Sequence, residues 1–399
     1  MKKIIVFVAM ILVVSTLFSF TTSAASKISW KSADYGKSPD KYAYTFVAIG
    51  DQQILTFLDS GKYIKEEGPM PAEWAGKGYL NTMYQWIVDN KEEKKIEYVF
   101  GLGDITESIT NASEWELAKS AASKLNGVVP YSLVRGNHDS NASFKNYFVT
   151  NNPDYTNQFE GHYGSEYLNT YRKITICGVK YLMITLACDP TDLELSWAEK
   201  IVKENPDHRT IITTHSYLSS TGVPSSSVTS LKGPNSGEKI WEKLVSKYKN
   251  IFMVISGHVC DEDGFRYAQK KGVNGNTVHQ ILVNPQGVDF EVEPLGMLAL
   301  LHFSNDGKSI SVEYYSTLKN RYSNAGTSFK IEPTGTEIIQ TVATTAAATV
   351  ADTTAEVTEA PSVTEPAKSG CGASVAVALV PMCVSLGVSV IASKKKNKK

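Results

Sequence analysis

Cysteine is scarce, with five residues in a chain of 399. Cys371 and Cys383 fall in an uncharged C-terminal run, which leaves Cys177, Cys188 and Cys260 for everything before it. Three is an odd number and too few to staple a domain of this size, so a disulfide-built scaffold is excluded. Cys177 and Cys188 flank a candidate hairpin at Gly178 without facing one another, and read as core thiols. An excess of positive charge is also missing, with 40 Lys and Arg against 41 Asp and Glu. Seven of the lysines sit at the two ends (Lys2, Lys3, Lys394, Lys395, Lys396, Lys398 and Lys399), so the chain between them carries 33 basic against 41 acidic residues, near −8. Such a surface argues against nucleic acid as a partner. No internal repeat is present, which excludes a solenoid or propeller.

What is present at the ends is an export pattern. Residues 1–25 combine Lys2 and Lys3, an apolar run from Ile4 to Phe20, and small residues up to Ala25, the layout of a signal peptide. Residues 331–370 are rich in Thr, Ala, Glu and Pro and cannot bury enough apolar surface to fold, so they read as a disordered stalk. Residues 371–393 are apolar over a length that spans a bilayer, and the basic residues 394–399 mark a cytoplasmic tail. The expectation is a single-pass surface protein, its main domain outside the cell. The tail also resembles the wall-sorting tails of Gram-positive bacteria, although no Leu-Pro-x-Thr-Gly motif precedes the span.

Residues 26–330 read as one α/β domain. Near-continuous apolar runs at 44–50, 97–103, 130–135, 172–177, 180–187, 209–214 and 251–256 predict strands covered on both faces. Between them lie amphipathic helices, with Leu80, Met83, Tyr84 and Ile87 on one face, Ala118, Ala121, Ala122 and Leu125 on another, and Ile240, Trp241, Leu244, Val245 and Tyr248 on a third. Ser113 with Glu116, and Thr191 with Glu194, have capping-box spacing. After residue 275 the pattern predicts no helices, only consecutive antiparallel strands at "TVHQILVN", "MLALLHFS" and "SISVEYYS", with a turn at Asn305-Asp306-Gly307.

The ends of these strands carry the chemistry. The first runs into "GDQQ", with Asp51 and Gln53; the second into "GLGDITE", with Asp104; the third into "RGNHDS", with Asn137, His138 and Asp139. The sixth runs into "TTHSY", with His215, and the seventh into "SGHVCD", with His258 and Cys260. Ligands bind at the carboxyl ends of strands in open α/β sheets. A glycine before the polar residue, in four of the five, permits a sharp turn and a close approach. Carboxylate, imidazole and amide oxygen together suit Mn, Fe or Zn. Two such ions about 3.5–4 Å apart can activate water and stabilise a phosphoryl oxygen. Arg135, Glu107 and Tyr217 have positions compatible with the cleft. His162 and His208 read as surface, His279 and His302 as structural.

This series resembles the calcineurin-like metallophosphoesterase family, whose pattern is Asp-x-His, Gly-Asp, Gly-Asn-His-Asp/Glu, a lone His, then Gly-His-x-His. The resemblance implies a four-layer α/β/β/α sandwich of two mixed sheets and hydrolysis of phosphomonoesters or phosphodiesters by a metal-activated hydroxide. Carried onto this chain, it makes Asp104 the carboxylate shared by two metals. Asn137, His215 and His258 become the other ligands of the second metal, and Asp51 a ligand of the first. His138 becomes the general acid, oriented by Asp139. Gln53 and Cys260 replace the two imidazoles of the first metal site. The Gln53 amide oxygen and a Cys260 thiolate remain possible ligands, Asp261 or Asp263 could turn in, or that site is weak or empty. The implied partners are two divalent transition-metal ions and a phosphorylated small molecule, lipid or glycan, acted on by a monomer. A degenerate member that binds such a ligand without turnover is the alternative.

Overall fold

The computed structural model describes residues 28–332 apart from 33–37, 63–70, 261–262 and 292. The segments read as leader, most of the stalk, span and tail lie outside the described residues, as does Asp261. The described residues all belong to one unit, Met1–Val342. Thirteen strands form two sheets among them: β1 Tyr42–Ile49, β2 Ile96–Gly101, β3 Tyr131–Leu133, β4 Gly161–Tyr163, β5 Asn169–Ile176, β6 Val179–Thr185, β7 Arg209–Thr213, β8 Ile251–Ser256, β9 Phe265–Lys271, β10 Thr277–Val283, β11 Met297–Ser304, β12 Ser309–Ser316 and β13 Arg321–Lys330. One sheet has the order β13-β12-β11-β1-β2-β3, the other β4-β5-β6-β7-β8-β10-β9. Both are mixed. β1, β2 and β3 run parallel, as do β6, β7, β8 and β10.

Strand alternation explains why the chain makes layers. Successive side chains point to opposite faces. Phe46 and Ala48 of β1 enter the core between the sheets, while Val47 and Ile49 face the helices outside. Tyr181 and Met183 of β6 likewise point inward, and Leu182 and Ile184 outward. The inner layer is aromatic. Phe46 meets Phe100, Tyr181 and Phe303 edge-on, and the Tyr44 and Tyr181 hydroxyls lie 2.6 Å apart. Removing such a ring, as in Phe46→Ala, costs about 3–5 kcal/mol. Helices α1 Gln53–Asp59, α2 Tyr79–Asp89 and α3 Ala112–Ala122 belong to the first sheet's outer face. Two short ones, α4 Asn141–Phe144 and α5 Pro153–Thr156, follow β3. Helices α6 Asp192–Glu204 and α7 Gly237–Lys243 cover the second sheet, and α8 Gln286–Glu291 follows β10. The result is the expected four-layer sandwich. No helix among the described residues is long and apolar enough to cross a membrane.

Three expectations are corrected. Helices do not stop at residue 275: α8 is only six residues long, too short to show a period. Strand β10 does not pair with β11 but lies in the other sheet, parallel to β8 and antiparallel to β9. The Thr191–Glu194 capping box forms, but α3 is capped by Asn111, whose side chain accepts from the Ser113 N–H. Cys177 sits in the β5–β6 turn, Cys188 is buried beyond β6, and neither is bridged.

Candidate metal centre

The carboxyl ends of β1, β2, β7 and β8 meet between the sheets, with the loop after β3 beside them. Three of the residues they deliver hold positive φ angles: Asp51 at 40°, Asp104 at 48° and His258 at 71°. Ordinary residues avoid that region, so packing must impose it. Glycine provides the room. A Cβ on Gly136 would lie 2.1 Å from the Asp104 nitrogen, and one on Gly257 would lie 2.2 Å from Asp51 Oδ2.

His215 is the centre of the arrangement and is fully buried. Its Nδ1 lies 2.9 Å from the Leu102 carbonyl, so Nδ1 donates and Nε2 faces the cluster. Around Nε2 stand Asn137 Oδ1 at 3.0 Å, Asp104 Oδ2 at 3.2 Å and His258 Nδ1 at 3.2 Å. Asp51 Oδ1 is 4.0 Å away. With a neutral His215 whose Nε2 accepts, the Asn137 and Asp104 oxygens face another acceptor, and only a His258 Nδ1–H could donate to that nitrogen. A cation at this point, either a proton or a metal ion, satisfies both oxygens.

The titration of the metal-free cluster says the same. Burial alone would lower the His215 pKa, but the Asp104 and Asp51 carboxylates outweigh it and raise it to about 9. Burial works to raise Asp104, yet His215 and the His138 N–H hold it at about 2. Burial and the neighbouring His215 charge push His258 down to about 4. Burial drives Asp51 well above the usual carboxylate range. His215 and Asp51 are thus the two groups held above their usual ranges, so the metal-free cluster favours protonation where a metal ion would otherwise sit.

The other side is looser. The His258 N–H donates to both Asp51 oxygens, at 3.1 and 3.0 Å. Gln53 opens α1, is fully buried, and its Nε2 donates to Asp104 Oδ2 at 3.3 Å. Its Oε1 accepts nothing among the described residues. A cation beside Asp51 and Asp104 would satisfy that oxygen. Cys260 is exposed, with its sulfur against Gly287 of α8, where a Cβ would be 2.4 Å from it. Among the described residues the three-membered group of metal-ligating side chains is Asp104, His215 and His258, without Cys260. Asp263 is engaged elsewhere, accepting from the Phe265 N–H and from Arg266.

His138 is half-buried at the mouth. Its ring is not oriented by Asp139, contrary to the expectation. The buried Asp139 accepts from the Gly136, Ile105 and Thr106 N–H groups and so ties the loop after β3 to the loop after β2. His138 Nδ1 instead meets the Glu107 carbonyl at 3.1 Å and the Glu107 carboxylate at 3.7 Å. The buried Glu114 fixes that loop by accepting from the Glu107 and Ser108 N–H groups at 2.9 and 2.8 Å. Sequence reading missed Glu114. The available signal was Asn111 three residues ahead of it, which is capping-box spacing one turn from the site. Arg135 is buried against the Gly136 and Cys188 carbonyls, and Tyr217 is buried with no partner for its hydroxyl among the described residues. His162 is exposed on β4, while His279 and His302 are buried against Tyr267 and Thr45.

The sequence profile of calcineurin-like phosphoesterases matches residues 44–262. The Bacillus subtilis protein YvnB, itself uncharacterized, is 30% identical over 297 residues, which cover 70% of this chain and 20% of YvnB. An Arabidopsis thaliana protein named probable inactive purple acid phosphatase 24 is 32% identical over 102 residues, 24% of this chain and 16% of that one. The chain therefore spans about a fifth or less of the length of these relatives. Among solved structures, the purple acid phosphatase PPD1 of yellow lupin seeds is similar at 15% identity and a TM-score of 0.43, over 74% of this chain and 55% of that one.

Proposed function

We propose, from the premise that this chain belongs to the calcineurin-like phosphoesterase family, that it hydrolyses phosphomonoesters or phosphodiesters at the outer face of a cell membrane. The observation that carries the reading is the convergence of Asn137 Oδ1, Asp104 Oδ2 and His258 Nδ1 on His215 Nε2, each within 3.2 Å. These four residues would hold one divalent ion, Mn, Fe or Zn. Asp51, Gln53 and the shared Asp104 would hold a second one more weakly, with Cys260 as a further candidate. Bound there, such ions acidify water and stabilise charge on a phosphoryl oxygen.

The chain's own residues supply the rest. His138 has Nδ1 fixed by Glu107, which leaves Nε2 to give a proton to the leaving oxygen. Asp104 and Glu107 raise the His138 pKa against the opposing effect of burial, so the ring is more readily found protonated. Asp139 holds the two loops in register. The apolar layers beneath Asp51, Asp104 and His215 exclude water and strengthen each charge interaction. The signal peptide, stalk, span and basic tail make the substrate extracellular: a nucleotide, a phospholipid head group, teichoic acid or another phosphorylated glycan.

A second reading, a phosphorylated-ligand binder without turnover, is favoured by Gln53 and Cys260 in place of two imidazoles and by relatives named probable inactive. The test is hydrolysis of aryl phosphomonoesters and diesters by the full-length chain with added Mn, Fe or Zn. Turnover that depends on metal supports the enzyme. Metal uptake and phosphate binding without turnover support the binder.

A further inference from the structure

The looser half of the centre differs from the tight half in chemistry as well as in spacing. With Cys260 against α8, the side chains there offer oxygen alone, from the buried Asp51, Gln53 and Asp104. A fourth oxygen donor stands beside them in Glu107. Its carbonyl, not its carboxylate, holds His138 Nδ1 at 3.1 Å. The carboxylate Oε2 lies 3.7 Å from that nitrogen, beyond hydrogen-bond reach, and accepts nothing among the described residues. Burial raises the Glu107 pKa, and the nearby His138 ring and Gln53 amide oppose it, so the carboxylate lies close to both. Gln53 Oε1 and Glu107 Oε2 are thus two oxygens without donors, sealed from bulk water, beside the Asp104 carboxylate. Distances separate the halves further. Ligand atoms at right angles around Zn, with bonds of about 2.0–2.2 Å, stand about 2.8–3.1 Å apart. Asn137 and Asp104 in the tight half are 3.0 and 3.2 Å from His215 Nε2. Around calcium, with bonds of about 2.3–2.6 Å, they stand about 3.3–3.7 Å apart. Gln53 Nε2 is 3.3 Å from Asp104 Oδ2, and half a turn of the amide puts Oε1 in its place.

We propose that the looser half is an oxygen-only site for calcium, formed by Asp51, Gln53, the shared Asp104 and Glu107, so that the centre takes two unlike ions. The inference rests on the reading of the strand-end cluster as a metal centre. Calcium takes about six to eight oxygens in irregular geometry, whereas magnesium demands a tight octahedron. Oxygen donors without imidazole or thiolate select such a hard ion, while the imidazoles of His215 and His258 suit a transition metal. Glu107 then has two separate duties: its carbonyl fixes the His138 ring, and its carboxylate turns to the ion. Water fills the remaining positions around calcium.

The test is calorimetric titration with calcium of the full-length chain already carrying one equivalent of Zn. One calcium equivalent is expected, bound at least tenfold tighter than magnesium. Glu107→Gln should weaken it at least tenfold, and Cys260→Ser by less than threefold. The Zn equivalent should stay within threefold of the parent in both variants, which shows that each still folds. No calcium uptake, equal uptake in Glu107→Gln, tighter binding of magnesium, or a loss confined to Cys260→Ser would overturn the proposal. A chain that takes Zn but no calcium overturns this proposal alone, and one that takes neither overturns the reading of the centre with it. Calcium uptake is read without turnover, so its outcome is separate from whether the chain hydrolyses a phosphoester.

Discussion

The two halves of the strand-end cluster are built to different standards. On one side Asn137, Asp104 and His258 bring side-chain atoms within 3.2 Å of His215 Nε2. On the other, Asp51 already accepts from the His258 backbone, Gln53 brings a neutral amide, and Cys260 lies exposed against α8. The first half gathers its ligands around one point that a cation can fill. The second is spread out, although Gln53 Oε1 also lacks a donor among the described residues. A ligand set is therefore recognised by convergence as well as by residue type, and the residues that replace the imidazoles fall where convergence is weakest.

The largest effect should come from breaking the tight half. His215→Ala removes the one side chain that every other ligand faces. Metal content should fall to background, and turnover should drop by more than the 10–100-fold typical of losing an outer-shell partner of a metal ligand. Metal analysis and kcat on the same preparation check this. Next, His138→Ala should leave metal content intact and lower kcat by about 10²–10⁴, the range of a lost general acid. Glu107→Gln should cost about tenfold, as one charged interaction of roughly 1–2 kcal/mol is lost. It should also move the pH limb assigned to His138 downward, because Glu107 helps to raise that pKa.

The site was largely legible because its residues follow glycines at strand ends, where sequence order and spatial position coincide. His138's partner was not. Asp139 is adjacent in sequence, but the turn after Gly136 points its carboxylate at backbone amides, and the ring swings toward Glu107 on another loop. The fold was legible in its first seven strands, whose apolar runs are buried on both faces. It failed after β8 because "TVHQILVN" and "MLALLHFS" look alike as runs, while only the three-dimensional order shows that β10 joins one sheet and β11 the other. The short α8 between them was invisible for the same reason: "QGVDFE" has too few residues to display a period.

The looser half offers a test of intermediate size through α8. Burial raises the Asp289 pKa from 3.8 to about 7. Because the folded value lies above the unfolded one, the native chain holds an extra proton between about pH 4 and 7, and stability falls as pH rises through that window. Asp289→Asn should flatten this fall, by an amount on the order of a few kcal/mol, in denaturant titrations at pH 5 and pH 8. Smallest of all should be Cys260→Ser. With the sulfur outside the tight cluster, the first equivalent of metal should bind within about threefold of the parent, under ~1 kcal/mol. A tenfold loss would instead draw Cys260 into that half and erase the contrast.

The most direct measurement is calorimetric titration of the metal-free full-length chain with Zn or Mn at pH 7.5, in buffers of different ionisation enthalpy. In the metal-free state His215 keeps its proton, since Asp104 and Asp51 overcome burial and hold its pKa at about 9. A metal at the tight half must displace that proton. The account expects one tight equivalent accompanied by the release of about one proton, with any second equivalent distinctly weaker. Two equal sites, or tight binding without proton release and undiminished in His215→Ala, would contradict it.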